Sequence, residues 1–146
     1  VIKMKRKLDC VLLIDDDEPT NFLNKMIIEE TGCVNEVKVT QSALEALEYL
    51  AGKQQTTVGD KPPMPELIFL DINMPAMDGW EFLERYAKLS PEQKASIIVV
   101  MLTTSFNPED ESKASRIGYI SSYRNKPLTQ EIILGILEEH FGWQES

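Results

Sequence analysis

Five short apolar runs alternating with longer amphipathic stretches predict an α/β fold of (βα)5 type, a doubly wound parallel five-stranded sheet. Three observations carry this reading. The runs at 10–14, 34–39, 66–70, 97–102 and 119–123 are of strand length, and 10–14, 67–70 and 97–102 are continuously apolar, as strands covered on both faces are. The segments between them repeat apolar residues at helical spacing behind recognisable start signals. The chain has 146 residues, which suits five units, whereas a closed eight-unit barrel usually needs about 250.

The first run ends in Asp15, Asp16, Asp17 and Glu18. Pro19 then opens a helix, since its fixed φ and missing N–H suit the first turn. Phe22, Leu23, Met26 and Ile27 are expected to form the buried stripe of that helix. After the second run, Ser42 and Glu45 stand at capping-box spacing, ahead of a stripe of Leu44, Leu47 and Leu50. Residues 51–65 hold two Gly and three Pro with little apolar periodicity and read as a long inserted loop. The third run leads to Asp71 and the loop INMPAMDG, where Asp78 and Glu81 start a helix carrying Phe82, Leu83 and Tyr86. Thr103, Thr104 and Ser105 close the fourth run, and Asn107 with Pro108 caps a short polar helix that stops near Gly118. The fifth run leads to Asn125, Lys126 and Pro127, and Ile132, Ile133, Ile136, Leu137 and Phe141 line the last helix.

Composition narrows the function classes. Fifteen basic against 24 acidic residues give a net charge of −9, which opposes binding to nucleic acid through phosphate neutralisation. Cys10 and Cys33 match neither a disulfide framework nor a zinc pattern. No apolar run approaches the roughly 18 residues of a membrane span, and the basic start VIKMKRKLD lacks the apolar stretch of a signal peptide. A cytoplasmic protein without membrane contact is expected. Met4 is a candidate initiator, and residues 1–7 are read as an extension, 8–142 as the domain and 143–146 as a tail.

In a parallel sheet all carboxyl ends lie on one edge, and ligands bind there at the point where strand order reverses. The fold therefore gathers Asp15 and Asp16, Asp71, Thr103 and Lys126 from the ends of the first, third, fourth and fifth runs. Two carboxylates about 4 Å apart repel by roughly 4 kcal/mol at an effective dielectric of 20, so the cluster calls for a cation. Mg²⁺ suits it, being a hard ion that takes one or two carboxylates and completes its shell with water and phosphate oxygens. A carboxylate beside such an ion can attack phosphorus and form an aspartyl phosphate. Asp71 fits the nucleophile, Lys126 the balancing cation and Thr103 the hydroxyl donor.

The acid pair Asp15 and Asp16, the stretch LIFLDINMPAMDG, Thr103 after a buried run and the Lys126-Pro127 pair occur in one order across about 8–141. Together they resemble a response-regulator receiver domain of two-component signalling, similar to the single-domain chemotaxis type. The resemblance implies a flavodoxin-like sheet of order 2-1-3-4-5, which sets the three carboxylates together at the switch point. It implies that Asp16 ligates the metal directly, Asp15 partly through water, and Asp71 and the backbone carbonyl of Asn73 beside them. It further implies that Thr103 contacts the phosphoryl group, that Lys126 pairs with it, and that Tyr123 is the aromatic whose rotamer follows phosphorylation. The bond before Pro127 is commonly cis in relatives. Thr104 and Ser105 replace the Ala and acidic residue often found there, which leaves the dephosphorylation rate open. The 51–65 insertion resembles regulators that work beside phytochrome-type kinases.

Plainer roles stand beside these. The acids at 15–18 can simply cap a helix; Asp17 is the best candidate for a pure cap, and a metal pair shifted to Asp16 and Asp17 stays open. Tyr123 can be packing alone, Met74, Met77 and Trp80 fit loop packing better than cofactor binding, and His140 suits a helix C-terminus. The combined expectation is a stand-alone signalling receiver and not an enzyme, with 20 residues after Lys126 leaving no output domain. It would take phosphoryl groups from a histidine kinase or phosphotransfer protein. An unidentified downstream protein would read the face of the fourth helix, fifth strand and fifth helix, the receiver being a monomer or a phosphorylation-dependent homodimer. A Mg²⁺-dependent phosphohydrolase and an unphosphorylated scaffold are the rivals.

Overall fold

The computed structural model describes residues 2–3, 7–52, 64–89, 98–118, 120–142 and 144–145. The elements run β1 (Leu8–Ile14), α1 (Glu18–Glu30), β2 (Val34–Thr40), α2 (Ala43–Leu50), β3 (Leu67–Asp71), α3 (Gly79–Tyr86), β4 (Ile98–Thr103), α4 (Pro108–Ser115), β5 (Ile120–Asn125) and α5 (Gln130–Phe141). The strands form one parallel sheet in the order β2-β1-β3-β4-β5, as expected. β1 and β3, distant in sequence, are paired from Val11↔Leu67 to Ile14↔Leu70. This pairing brings Asp15 beside the end of β3.

Period-2 alternation along the strands feeds two cores. Leu12, Ile14, Ile68, Leu70, Val99 and Met101 face α2, α3 and α4, where they meet Ala46, Leu50, Phe82, Tyr86 and Ala114. On the other face of the sheet, Val11, Leu13, Leu67, Phe69, Val100 and Leu102 meet Ile28 of α1 and Ile133, Ile136 and Leu137 of α5. Each fully buried Leu, Ile or Phe contributes roughly 1.5–3 kcal/mol relative to exposure.

Side-chain caps start the helices where the sequence places them. Asp17 accepts from the Thr20 N–H and hydroxyl, Ser42 from Glu45 N–H, Asp78 from Glu81 N–H, Asn107 from Glu109 N–H and Thr129 from Ile132 N–H. Gly142 ends α5 in the left-handed region at φ 70°.

Two helical faces differ from expectation. In α1, Phe22, Leu23 and Met26 are 67%, 52% and 41% exposed, and the buried residues are Asn21, Asn24 and Ile28. Residues 21, 24 and 28 face inward, with Ile28 in the core and Asn21 donating to the Asp15 carbonyl at 2.7 Å, and the apolar stripe lies on the opposite side. Ile27, on the flank, is half-buried. In α2 the inner face is Ala43, Ala46, Tyr49 and Leu50, with Leu44 exposed and Leu47 half-buried. Small alanines let this helix lie close to the sheet.

Boundaries shift by one or two residues. β1 begins at Leu8, β3 includes Asp71 and β4 includes Thr103, so two expected site residues are strand residues held by the ladder. Residues 53–63 of the inserted loop, and residues 97 and 119, lie outside the described residues. At the chain ends, Ile2–Lys3 pairs antiparallel with Gln144–Glu145.

Candidate functional site

Asp15, Asp16 and Asp71 converge at the carboxyl edge of β1 and β3, each offering a carboxylate oxygen within 4.8 Å of the others'. Asp15 and Asp71 are buried and Asp16 is exposed. Lys126, carried from the end of β5, bridges the two buried acids: its Nζ is 2.6 Å from Asp15 Oδ2 and 3.3 Å from Asp71 Oδ1. The Lys126 backbone N–H donates to the Thr103 carbonyl at 2.7 Å, tying its position to β4. The Lys126–Pro127 peptide is cis.

Asp15 is held from several sides. Its Oδ1 accepts from the Asp17 N–H at 2.9 Å, and its own N–H donates to the Thr40 carbonyl at 3.2 Å. Asp17, by contrast, has its carboxylate occupied by Thr20 at the α1 cap, and the carboxylate cluster comprises Asp15, Asp16 and Asp71. Those two hydrogen bonds from Thr20 hold Asp17 below the usual carboxylate range.

The electrostatics follow from burial and like charge. Desolvation, then the Asp15 carboxylate, push the Asp71 carboxyl up to about 6, against the opposing pull of Lys126 and the Asn73 N–H. Burial draws the Lys126 ammonium down, but the hydrogen bond and charge of Asp15, followed by the charge of Asp71, outweigh it and leave it above the usual lysine range. Three carboxylates facing one ammonium form an oxygen-rich pocket with an excess of negative charge. That donor set fits a hard divalent cation such as Mg²⁺.

Thr103 is buried at the end of β4, and its hydroxyl exchanges hydrogen bonds with Ser105, donating to the carbonyl at 3.1 Å and accepting from the N–H at 3.0 Å. Asn73 is exposed, and its N–H donates to Asp71 Oδ1 at 3.3 Å. Tyr123 points inward and is 9% exposed; its hydroxyl accepts from the Asn107 N–H at 3.2 Å. The Phe106 ring meets Tyr123 edge-on at 5.0 Å between centroids. Met74 is buried, while Met77 in the loop and Trp80 in the first turn of α3 pack against the core. The Lys113 ammonium lies 4.3 Å over the Trp80 ring.

Sequence reasoning missed three residues here. Phe106 and Asn21 are two, and neither belongs to a periodic pattern that would single it out. The third is Gly79, read only as the last residue of the loop INMPAMDG. A Cβ at Gly79 would lie 2.9 Å from both the Asp71 carbonyl oxygen and Ile72 Cα, and the Gly79 N–H donates to the Ile72 carbonyl at 2.8 Å. The β3–α3 loop thus folds back onto the backbone of Asp71 itself. Gly79→Ala is expected to lower stability by about 1–3 kcal/mol, the usual cost of overpacking, and to weaken divalent-ion binding by moving Asp71. Urea denaturation and metal titration of the variant check both effects.

Known proteins agree with this architecture. Residues 11–138 match the response regulator receiver domain family. The response regulator Rcp1 of Synechocystis sp. is 34% identical over 116 residues, covering 80% of this chain and 75% of its own length. The crystal structure of a two-component response regulator from Cytophaga hutchinsonii superposes with a TM-score of 0.78 at 33% identity, covering 94% of this chain and 99% of that one. The Mn²⁺-bound form of Rcp1 superposes at 0.67 with 27% identity, covering 89% and 92%. With this fold, this clustering of acids and these relatives, the chain belongs to the response regulator receiver domain family of two-component signalling.

Proposed function

We propose that the chain is a phosphorelay receiver that accepts a phosphoryl group on Asp71 with Mg²⁺ bound. The observation that carries this is the bridging of buried Asp15 and Asp71 by Lys126 beside Asp16. An Asp71 carboxylate oxygen attacks the phosphorus of a phosphohistidine on a kinase or phosphotransfer protein. The new O–P bond forms as the P–N bond breaks, and the electron pair leaves with the imidazole. Asp15, Asp16, Asp71 and the Asn73 carbonyl would hold the ion. When bound, Mg²⁺ supplies positive charge to the equatorial phosphoryl oxygens. Lys126 pairs with the same oxygens once they draw it from the carboxylates, and the Thr103 hydroxyl turns from Ser105 to donate to them.

The Thr103 turn is coupled to the output face. Ser105 and Asn107 lie on one loop, the former bonded to Thr103 and the latter to Tyr123. Drawing Thr103 toward the phosphoryl group therefore loosens the Tyr123 contact at the start of α4. α4 is weakly anchored, with Ala114 its buried residue, so a modest bias shifts it. The α4, β5 and α5 face is the proposed contact for a downstream protein. The Mn²⁺ in the Rcp1 structure supports divalent-ion binding in a relative.

A phosphohydrolase working through an aspartyl phosphate typically has a second acid two residues after the nucleophile, and Asn73 stands there. A scaffold without phosphoryl chemistry would have no use for the complete acid, hydroxyl and lysine set. Beryllofluoride, a phosphoryl mimic, separates these readings. Saturable binding that requires both Mg²⁺ and Asp71, with a change in Trp80 fluorescence, is expected; no binding to the folded protein at saturating Mg²⁺ would refute the receiver reading.

A further inference from the structure

We infer that Asn21 is a positioning residue for the metal site, acting through Asp15; this rests on the proposed Mg²⁺ reading. Asn21 lies on α1, one turn after the cap, and is 2% exposed. Its Nδ2 donates to the Asp15 backbone carbonyl at 2.7 Å. Its Oδ1 is buried and has no hydrogen-bond partner among the described residues.

An asparagine is a costly choice on the inner face of a helix. Asn is a poor helix former, its amide must be desolvated, and half of its polar capacity goes unanswered. A Leu would pack the same inner face that Ile28 already occupies. What the amide alone provides is a donor to the carbonyl of Asp15. The Asp15 side chain is fixed by the Asp17 N–H and Lys126, but Lys126 must release it when a cation enters or a phosphoryl group draws the ammonium away. The Asn21 bond persists through that exchange because it holds backbone and not carboxylate. It anchors the β1–α1 turn so that Asp15 and Asp16 keep their mutual placement with or without Lys126. Groups that orient ligands in this way typically change metal affinity about 10–100-fold when removed.

Asn24 provides the internal comparison. It is also buried, one turn further along the same inner face and so further along α1 from Asp15 and Asp16. The test is titration of the full chain with Mn²⁺ alone, reading free ion by electron paramagnetic resonance, together with thermal unfolding without metal. Asn21→Ala and Asn21→Leu are expected to weaken Mn²⁺ binding about tenfold or more. The leucine variant fills the side-chain volume and should keep the metal-free unfolding midpoint near the parent's, which guards against a variant that fails to fold. Asn24→Ala should lower the midpoint yet bind Mn²⁺ within about twofold of the parent, since it orients no ligand. Binding by a folded Asn21→Leu protein as tight as the parent's would overturn the inference while leaving the receiver reading intact. An equal loss in Asn24→Ala would also overturn it, by showing a general helix effect. A parent chain that binds no Mn²⁺ would overturn both the inference and the metal reading beneath it.

Discussion

Asp71→Asn is expected to abolish phosphoryl uptake and, in the metal-free protein at pH 7, to raise the unfolding free energy by about 1–3 kcal/mol. The two effects share one cause. The Asp71 carboxyl is buried beside Asp15, and its pKa rises from 3.8 to about 6 on folding. Between those values the folded chain keeps a proton that the unfolded chain has lost. Stability from this group is therefore present in full below about pH 4 and is lost as pH rises through 6, because ionising Asp71 in place is unfavourable. Asparagine has the same shape and carries no charge, so its stability curve should be flat across that window. Urea titrations of both proteins between about pH 4 and 8 without metal would show the curves converging at the acid end. An asparagine variant less stable than the parent at pH 7 would mean that the Lys126–Asp71 attraction outweighs burial and repulsion. A site that concentrates negative charge at some expense of stability is one arranged for a ligand, and saturating Mg²⁺ should return the parent's deficit. Binding at about 100 times the dissociation constant contributes about 2.7 kcal/mol.

Lys126→Ala is expected to act in the opposite direction without metal, lowering stability by about 3–5 kcal/mol, the usual result of removing one partner of a buried ion pair. The ammonium lies within contact distance of both Asp15 and Asp71, and without it the carboxylates face one another with the Asp17 and Asn73 N–H donors in support. Divalent ions should restore more of the lost stability in this variant than they add to the parent, since the site has become more negative and Asp15 no longer has to exchange one cation for another. Thermal unfolding against Mg²⁺ concentration reads this directly. A variant with parental stability and an unchanged Mg²⁺ response would show that Lys126 is not coupled to the cluster. Phosphoryl chemistry should fall as well, because the group proposed to pair with the transferred oxygens is gone.

Much of this arrangement is legible from the chain because parallel strands turn sequence order into geometry. Once the apolar runs define strand ends, Asp15, Asp16, Asp71, Thr103 and Lys126 have to share an edge, and the ladder from Val11↔Leu67 to Ile14↔Leu70 puts β1 beside β3. Helix faces are harder to read. Periodicity reports that α1 has an apolar stripe at Phe22, Leu23 and Met26 but not which way it points. The inward face instead carries Ile28 in the core and Asn21 bonded back to Asp15, a contact between a polar side chain and a turn that leaves no repeating signature. The α2 stripe is misplaced by pattern alone for a related reason: the alanines that approach the sheet weigh less in a hydrophobic pattern than the leucines at its margin. Gly79 and Phe106 escape because their importance lies in close approach, of a backbone to Asp71 and of a ring to Tyr123. Spacing along the chain carries no record of such distances.

Phosphotransfer chemistry has to be shown before any partner matters. The most direct measurement is the intact mass of the full chain after incubation with acetyl phosphate, with and without Mg²⁺, in the parent and in Asp71→Asn. The parent with Mg²⁺ is expected to gain the mass of one phosphoryl group, with no gain when the ion is chelated or Asp71 is replaced. A folded, Mg²⁺-saturated parent that takes up no phosphoryl group, or an Asp71→Asn protein labelled as fully as the parent, would contradict that expectation.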